Sequence, residues 1–235
     1  FKGGCMFIST HAYSAQVFGQ RESEAFPKFL LDMQHLRHLQ AAWADSKITH
    51  RTAQLLALAE RIETNKPELA EAVCMEVGRC LRECEAEIDK TVDLIRYYAK
   101  LAPELLDSKT ITTQASLSQV RFEPLGVVLA VMPWNYPVWQ VLRFAVPALC
   151  AGNACWVKPA PSVARVTAQL FEWVGEDLPF QVAWLDHDDV LLAIEETDAL
   201  AFTGSDKTGR ILAAHAGKHI KKTVLELGGS NAFVV

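Results

Sequence analysis

The residues of this chain that could do chemistry stand at the ends of apolar runs. Asn135 lies in a rigid turn between Pro133 and Pro137, directly after the apolar run Val127–Met132. At the carboxyl end of a strand in an open α/β sheet, such an amide can donate a hydrogen bond to a developing negative charge. Glu226 closes another strand-like run, where a carboxylate can act as a general base. An ordinary acid at a strand end is the alternative.

Gly204 and Ser205 form a second kind of site, one suited to phosphate. Gly204 allows a ligand to approach the backbone closely, and Ser205 can cap a helix whose free N–H groups attract anions. Ser and Gly also begin many helices for capping alone, and the sequence has no Gly-x-Gly-x-x-Gly fingerprint. Lys158, also at a strand end, could bind a ribose or a phosphate, or it could be a surface lysine.

An alternation of strands and helices must position these residues. After residue 123, apolar runs of strand length alternate with segments of helical spacing. This pattern predicts a Rossmann-like α/β fold, a mostly parallel sheet with helices over its faces and ligands at its carboxyl edge. Strands are predicted at Val127–Met132, Ala154–Val157, Gln181–Leu185, Ala199–Thr203, Thr223–Leu227 and Ala232–Val235, and helices at 138–149, 163–174, 190–195 and 205–215.

The first half of the chain has a different organisation. Residues 1–23 are expected to be an irregular segment, and residues 24–107 a helical layer whose series is closed by Pro103. Residues 108–122 alternate polar and β-prone residues, which predicts an edge hairpin or an oligomer contact. Residues 123–235 form the Rossmann-like part. The clearest helical spacing in the layer is at Leu81, Cys84, Ile88, Val92, Ile95 and Ala99.

The composition excludes several classes of protein. Hydrophobic residues make up 50% of the 235 residues and the formal charge is −5. The chain can therefore bury a core, and it has no basic field for nucleic acid. No apolar run reaches the length of a membrane helix, so we expect no membrane contact, and the cysteine usage, which lacks any Cys-x-x-Cys pair, predicts a cytoplasmic protein.

Cysteine and histidine usage gives no metal site. The six cysteines contain no Cys-x-x-Cys pair, which predicts reduced thiols. His35 with His38, and His215 with His219, lie at helical spacing. Neither pair has a Cys or carboxylate partner at a telling distance in the sequence, so solvated helix faces are expected.

Five motifs in order resemble those of one protein family. They are Pro133–Pro137 (Pro-Trp-Asn-Tyr-Pro), Ala151–Ala154 (Ala-Gly-Asn-Ala), Lys158-Pro159, Phe202–Ser205 (Phe-Thr-Gly-Ser) and Glu226–Gly229 (Glu-Leu-Gly-Gly). In this order and at these separations, they are similar to the motifs of the aldehyde dehydrogenases. The resemblance covers about Glu60 to Val235. Within the family, Trp134–Phe144 looks most like the succinate-semialdehyde dehydrogenase branch.

The resemblance implies an NAD(P)+-dependent oxidation of an aldehyde to a carboxylic acid through a cysteine thioester. It implies that the Asn135 amide stabilises the oxyanion and that Glu226 activates the hydrolytic water. A small-molecule aldehyde as substrate and a homo-oligomer in the complete enzyme are implied as well. The coenzyme, NAD or NADP, is expected to contact Pro133, Trp134, Lys158, Gly204, Ser205 and Leu227.

The nucleophile is a departure from the family pattern. In the family, the nucleophilic cysteine lies beyond the segment that matches Glu226–Gly229, and none of the six cysteines of this sequence takes its place. We therefore expect the catalytic domain to be missing and this polypeptide alone not to oxidise aldehydes. The alternative is a non-catalytic protein that keeps the dinucleotide fold for binding or assembly.

Pro161 affects the choice between NAD and NADP. NAD-preferring relatives often carry a glutamate at this position, three residues after Lys158, for the ribose hydroxyls. Without that anion, the site should tolerate a 2′-phosphate, so NADP is a candidate coenzyme. The acidic segment Asp186–Asp189 would repel phosphate if it lay beside the coenzyme, although a solvated turn is the preferred interpretation.

Overall fold

The computed structural model describes residues 6–229 and residue 232, and its centre is a five-stranded parallel sheet. The strands of the chain are β1 (Met6–Thr10), β2 (Val17–Glu22), β3 (Lys109–Thr110), β4 (Gln119–Val120), β5 (Val127–Val131), β6 (Ala154–Lys158), β7 (Phe180–Val182), β8 (Ala199–Gly204) and β9 (Lys222–Leu227). The central sheet has the order β7-β6-β5-β8-β9, which confirms the predicted α/β fold. The strand expected at Ala232–Val235 lies, apart from Ala232, outside the described residues.

Helices cover both faces of this sheet. They are α1 (Phe26–Asp45), α2 (Ile48–Thr64), α3 (Lys66–Val77), α4 (Leu81–Leu105), α5 (Pro137–Cys150), α6 (Ala164–Glu172), α7 (Asp189–Glu196) and α8 (Asp206–Lys218). Strand β5 shows how the sheet serves two cores, because successive strand residues point to opposite faces. Val128 and Ala130 pack with α2 to α6, whereas Val127 and Leu129 pack with α1, α7 and α8.

The strand order creates a crevice at the carboxyl edge. From β5 the chain passes through α5 to β6 on one side, and later returns through α7 to β8 on the other side of β5. The helices α5 and α6 lie on one face and α7 and α8 on the other. In open α/β sheets, ligands bind at such a topological switch point. Asn135 lies in the turn that follows β5, and Gly204 is the last residue of β8.

The helical layer agrees closely with its sequence pattern. In α4, Cys84, Ile88, Val92, Ile95 and Ala99 are buried. Leu81, at the first position of the helix, is exposed instead. Pro103 lies in the last turn of α4, which ends at Leu105. None of the helices in the described part of the chain is long and apolar enough to cross a membrane.

The expectation that residues 1–23 are irregular is wrong for residues 6–22. Strands β1 and β2 pair there as an antiparallel hairpin. Phe7 and Ser9 are buried on one side of β1, and the Phe7 ring meets Trp184 edge-on with ring centroids 5.2 Å apart. This short segment depends on tertiary packing, which its sequence pattern alone did not reveal.

A short antiparallel pair, β3 with β4, occupies the segment 108–122. Its strands are exposed, as are the side chains of Leu117 and Phe122 beside them. A hairpin is therefore present where the alternating pattern predicted one, while its use as an oligomer contact stays a prediction.

Candidate active site

A cleft of about 540 Å³ opens at the carboxyl edge of the sheet, at the switch point between β5 and β8. Three segments form its walls: the turn after β5, the end of β8 and the end of β9. Six of the eight site residues predicted from the sequence line it, whereas Lys158 and Ser205 lie outside the lining. The six are Pro133, Trp134, Asn135, Gly204, Glu226 and Leu227.

The turn that carries Asn135 is held by a buried carboxylate from the helical layer. Glu87 on α4 has a fully buried side chain. Its Oε1 accepts hydrogen bonds from the backbone N–H groups of Val138, at 2.9 Å, and Trp139, at 2.8 Å. These are N–H groups of the first turn of α5, which lack partners inside the helix. Glu87 therefore caps α5 from another helix and fixes where the turn before it ends.

Arg79 completes this support from the side of the turn. Its guanidinium pairs with the Oε2 atom of Glu87 and stacks over the ring of Tyr136, with Cζ 4.0 Å from the ring centroid. Tyr136 is the neighbour of Asn135 in the turn. The Glu87–Arg79 pair thus contacts both the helix that follows the turn and the turn itself.

Glu226 and Arg143 face each other in the cleft. An Oε1 atom of Glu226 lies 3.4 Å from Nη1 of Arg143, and the two side chains are 53% and 34% exposed. A partly exposed carboxylate can accept a proton from water, and the guanidinium can attract an anionic ligand. Arg143 was not among the site residues predicted from the sequence. The available signal was a single cation in the otherwise mostly apolar run of α5.

Gly204 and Ser205 stand at the start of α8. Ser205 caps the helix, since its Oγ accepts a hydrogen bond from the Thr208 N–H at 3.3 Å. A Cβ on Gly204 would come within 2.5 Å of the Phe202 ring, so a larger residue would displace that ring. The acidic residue of the first turn, Asp206, pairs with Arg210 at 2.8 Å.

Other helix N-termini at this edge of the sheet already hold carboxylates. Glu87 occupies that of α5, and Glu76 on α3 occupies that of α6 by accepting from the N–H groups of Arg165 and Val166 at 3.1 and 2.7 Å. Burial raises the pKa of Glu76 above its ordinary value, while these hydrogen bonds act in the opposite direction. Helix α7 begins with Asp189. The first turn of α8 also carries an acidic residue, Asp206, but Arg210 pairs with it, so this N-terminus stays a candidate site for a phosphate group.

Lys158 lies at the end of β6, beside Val131 of β5. It is only 2% exposed, and its Nζ lies 5.5 Å from the centroid of the Phe7 ring. The interpretation as a surface lysine is therefore wrong. The structure does not place the ammonium in the wall of the cleft, and contact with a ribose would require this side chain to turn from Phe7.

The acidic segment Asp186–Asp189 forms the turn between β7 and α7. Within it, Oδ1 of Asp186 accepts a hydrogen bond from the Asp189 N–H at 2.9 Å. The positive charge of Lys158 is the larger cause of a lowered pKa of His187, and partial burial lowers this pKa further. The turn therefore lies within electrostatic reach of Lys158.

The cleft contains no cysteine among the described residues. Cys84, Cys150 and Cys155 are buried, whereas Cys80 is exposed. Burial raises the pKa of both Cys84 and Cys150 to about 11, and that of Cys155 well above its ordinary value. These buried thiols are protonated at neutral pH and are poor nucleophiles.

A second polar cluster lies away from the cleft. His215 and His219 have a carboxylate partner that is distant in the sequence, so the expectation of a solvated helix face is wrong for this pair. Nε2 of His215 lies 2.9 Å from Oε1 of Glu195. Glu195 is on α7, and only the packing of α7 against α8 brings it to the pair.

The sequence model of the aldehyde dehydrogenase family matches residues 32–235. Succinate semialdehyde dehydrogenase Sad of Escherichia coli K12, named for NAD(P)+, is 35% identical over 216 residues, covering 87% of this chain and 46% of the relative. Succinate-semialdehyde dehydrogenase of Deinococcus radiodurans, named for NADP+, is 35% identical over 202 residues, covering 82% and 42%. The chain thus spans less than half the length of these two relatives.

Solved structures give the same picture. The chain superposes on succinic semialdehyde dehydrogenase from Streptococcus pyogenes, solved in complex with NADP+, with a TM-score of 0.91 and 27% sequence identity. The match covers 96% of this chain and 51% of that one. The fold described above therefore corresponds to about half of a larger known structure.

Proposed function

The chain belongs to the aldehyde dehydrogenase family, and from that premise we propose that it forms the coenzyme-binding half of an NADP+-preferring dehydrogenase for an aldehyde that carries a carboxylate. The observation that carries this proposal is the cleft at the switch point. There the amide of Asn135, the carboxylate of Glu226 and the end of β8 line one cavity. Succinate semialdehyde is the substrate in the names of the relatives, and it has the required chemistry.

The N-terminus of α8 fits the pyrophosphate of such a coenzyme. Its first N–H groups are free of the carboxylates that fill the N-termini of α5 and α6. Gly204 lets the backbone lie against the Phe202 ring at the start of the helix, and Arg210 balances the charge of Asp206. Pro161 carries no negative charge that would repel a 2′-phosphate. Lys158 supplies a cation at the end of β6, the strand beside β5. When bound, the coenzyme would accept a hydride from the substrate.

Asn135 and Glu226 have complementary roles in this proposal. The Asn135 side-chain amide donates a hydrogen bond to the oxyanion that forms on the carbonyl oxygen of the substrate. Glu226 takes a proton from the water that releases the acid product. No described cysteine lines the cleft, so this chain by itself is expected to hold the coenzyme without oxidising aldehydes.

Arg143 is proposed to select the substrate. Its guanidinium is one-third exposed and lines the same cleft as Asn135. A carboxylate at the far end of an aldehyde could replace Glu226 as its partner or join it, and bidentate pairing would give direction as well as attraction. This favours an aldehyde with an acidic group over a neutral one.

A non-catalytic role in binding or assembly is the second candidate. The observation that favours it is the lack of a thiol in the cleft among the described residues. Both candidates require the coenzyme site. They differ in whether a cysteine from elsewhere completes it.

Calorimetric titration of the purified chain with NADP+ and NAD+ tests the site. We expect NADP+ to bind with a Kd below about 1 mM and more tightly than NAD+. Ser205→Asp should weaken binding at least tenfold, because aspartate keeps the helix cap but places a negative charge beside the phosphate. Lys158→Met should reduce the preference for NADP+.

Lys222→Met is the matched control, since Lys222 is an exposed lysine at the opposite end of β9. It should bind both coenzymes like the unaltered chain. Failure of the folded chain to bind either coenzyme at millimolar concentration would overturn the proposal. Equal binding by Ser205→Asp and the unaltered chain would place the pyrophosphate elsewhere.

A further inference from the structure

We propose that Glu195, His215 and His219 form a binding site for a divalent transition-metal ion, with Zn²⁺ as the expected occupant. The three side chains come from two helices that pack on the same face of the sheet. Their ligating atoms all lie within 4.8 Å of one another. The site does not depend on the proposed function, because it stands apart from the coenzyme cleft.

Its position follows from the helix that carries both histidines. His215 lies in the last turn of α8 and His219 is the residue that ends it, whereas Ser205 caps the other end. Helix α8 has 13 residues, so roughly 20 Å separates the two ends. A ligand at the cluster would therefore contact neither Gly204 nor Glu226.

The spacing of the ligand atoms suits a four-coordinate ion. Oε1 of Glu195 lies 2.9 Å from Nε2 of His215 and 3.6 Å from Nε2 of His219. Around a tetrahedral Zn²⁺ with bonds of 2.0–2.2 Å, neighbouring ligand atoms are roughly 3.3 Å apart. The two observed distances lie on either side of that value, and the ligating nitrogens of the two histidines lie within 4.8 Å of each other, so side-chain rotations that bring the two rings to one ion would complete the geometry.

His219 gives independent evidence for a ligand at this cluster. Its Nε2 atom is buried and has no hydrogen-bond partner, since 3.6 Å to Glu195 is too long for one. Burying a ring nitrogen without a partner costs free energy, and a simple ion pair through His215 leaves that cost in place. A metal ion between the three atoms would satisfy all of them.

The chemistry of the donor set indicates the class of ion. Two imidazoles and one carboxylate are a borderline nitrogen and oxygen set, which suits Zn²⁺ and its neighbours better than Mg²⁺ or Ca²⁺. The two rings are stacked with centroids 4.8 Å apart, and the i, i+4 spacing places both on one side of α8. The side chains are 20–35% exposed, so water can take the fourth position.

Zn²⁺ titration of the purified chain tests the proposal, in a Cys80→Ser background that removes the exposed thiol. We expect one Zn²⁺ per chain at this site. His215→Gln and His219→Gln should each weaken binding by more than about 100-fold, the upper range for loss of an outer-shell partner alone. The double variant His35→Gln/His38→Gln is the control, because these exposed histidines on α1 belong to no such cluster among the described residues.

X-ray absorption of the Zn²⁺-loaded chain gives a measurement that needs no histidine variant. It should show two imidazole nitrogens at about 2.0–2.1 Å and no sulfur. The proposal is overturned if the folded chain binds no Zn²⁺ at millimolar concentration, if His215→Gln binds as tightly as its parent, or if the bound ion has sulfur ligands.

Discussion

The cleft combines an amide, a carboxylate and a guanidinium, carried by Asn135, Glu226 and Arg143. Each group is useful because of its neighbours. The charge of Arg143 lies beside Glu226, and Asn135 stands in a turn fixed by two prolines and by Tyr136 under Arg79. The described cysteines are elsewhere and mostly buried. The residues that line the cleft can therefore contact a coenzyme, but they supply no thiol.

The cysteines should differ sharply in reactivity. We expect a maleimide to label Cys80 in the folded chain, while Cys84 and Cys150 stay unlabelled at neutral pH. Burial raises the pKa of these two thiols to about 11, so the reactive thiolate forms only as the pH approaches that value. Peptide mapping after labelling measures this order, and urea should abolish it. Rapid labelling of Cys150 in the folded chain would contradict the burial described here.

Gly126 should be intolerant of substitution. Its φ is +123°, and an added Cβ would lie 2.2 Å from Oδ2 of Asp198. That carboxylate also accepts from the Val127 N–H and from Arg37. Gly126→Ala should therefore lower the free energy of unfolding by at least about 2 kcal/mol, from backbone strain and displaced hydrogen bonds.

Gly217→Ala is the comparison for this change. Gly217 is in α8 with nothing within 4 Å of an added Cβ, so alanine should be neutral or stabilise by up to about 1 kcal/mol. Urea denaturation measures both variants. Equal effects would show that the contact with Asp198 does not limit residue 126.

Residue types at the ends of apolar runs were sufficient to predict part of the site. Asn135 follows a parallel strand, and Gly204 and Glu226 lie at the ends of two others; since these carboxyl ends share one edge, the structure brings the three residues into one cleft. Arg143 and Glu87 were not found, because they reach the site from the middle of helices. Spacing along the chain does not show which helix face meets a strand end.

At the scale of elements, the helical layer holds the loops of the sheet through buried carboxylates. Glu87 of α4 caps α5, and Glu76 of α3 caps α6. A predicted site residue precedes each capped helix, with Asn135 in the turn before α5 and Lys158 at the end of the strand β6 before α6. The layer therefore does more than cover a face of the sheet, since it fixes where two helices begin.

Glu87→Ala should be far more costly than the loss of a surface ion pair. It removes the cap of α5 and leaves Arg79 partly buried without its partner. We expect a loss of about 3–5 kcal/mol, as for other broken buried pairs. Glu63→Ala, which breaks an exposed pair with Arg96, should cost less than about 1 kcal/mol. Urea denaturation compares them, and similar losses would argue against the role of Glu87.

The elements themselves were predictable in proportion to their length and periodicity. Helix α4 repeats its apolar positions over about five turns and was recognised, as was the apolar strand β5. The hairpin of β1 and β2 was missed because its burial depends on Trp184, far away in the sequence. Glu195 joins His215 for the same reason, through the packing of α7 on α8.

At the scale of the whole molecule, the strand order determines where the cleft forms. All five strands are parallel, but the chain adds β6 and β7 on one side of β5 and β8 and β9 on the other, so the loops after β5 and β8 diverge and leave space between them. A neighbouring apolar cavity of about 540 Å³ runs along β8 and β9 and shares Arg143 and Glu226 with the cleft. Val224 in its wall is 65% exposed, so this part of the sheet is open to solvent.

Hydrogen–deuterium exchange of the chain with and without NADP+ tests most directly whether the coenzyme binds at the switch point. We predict slower exchange on binding in residues 133–139 and in residues 203–209, at the start of α8. Exchange in residues 212–219, at the other end of α8, should not change. Calorimetric binding of NADP+ that left exchange in residues 133–139 and 203–209 unaltered, or slowed it only elsewhere, would contradict this location.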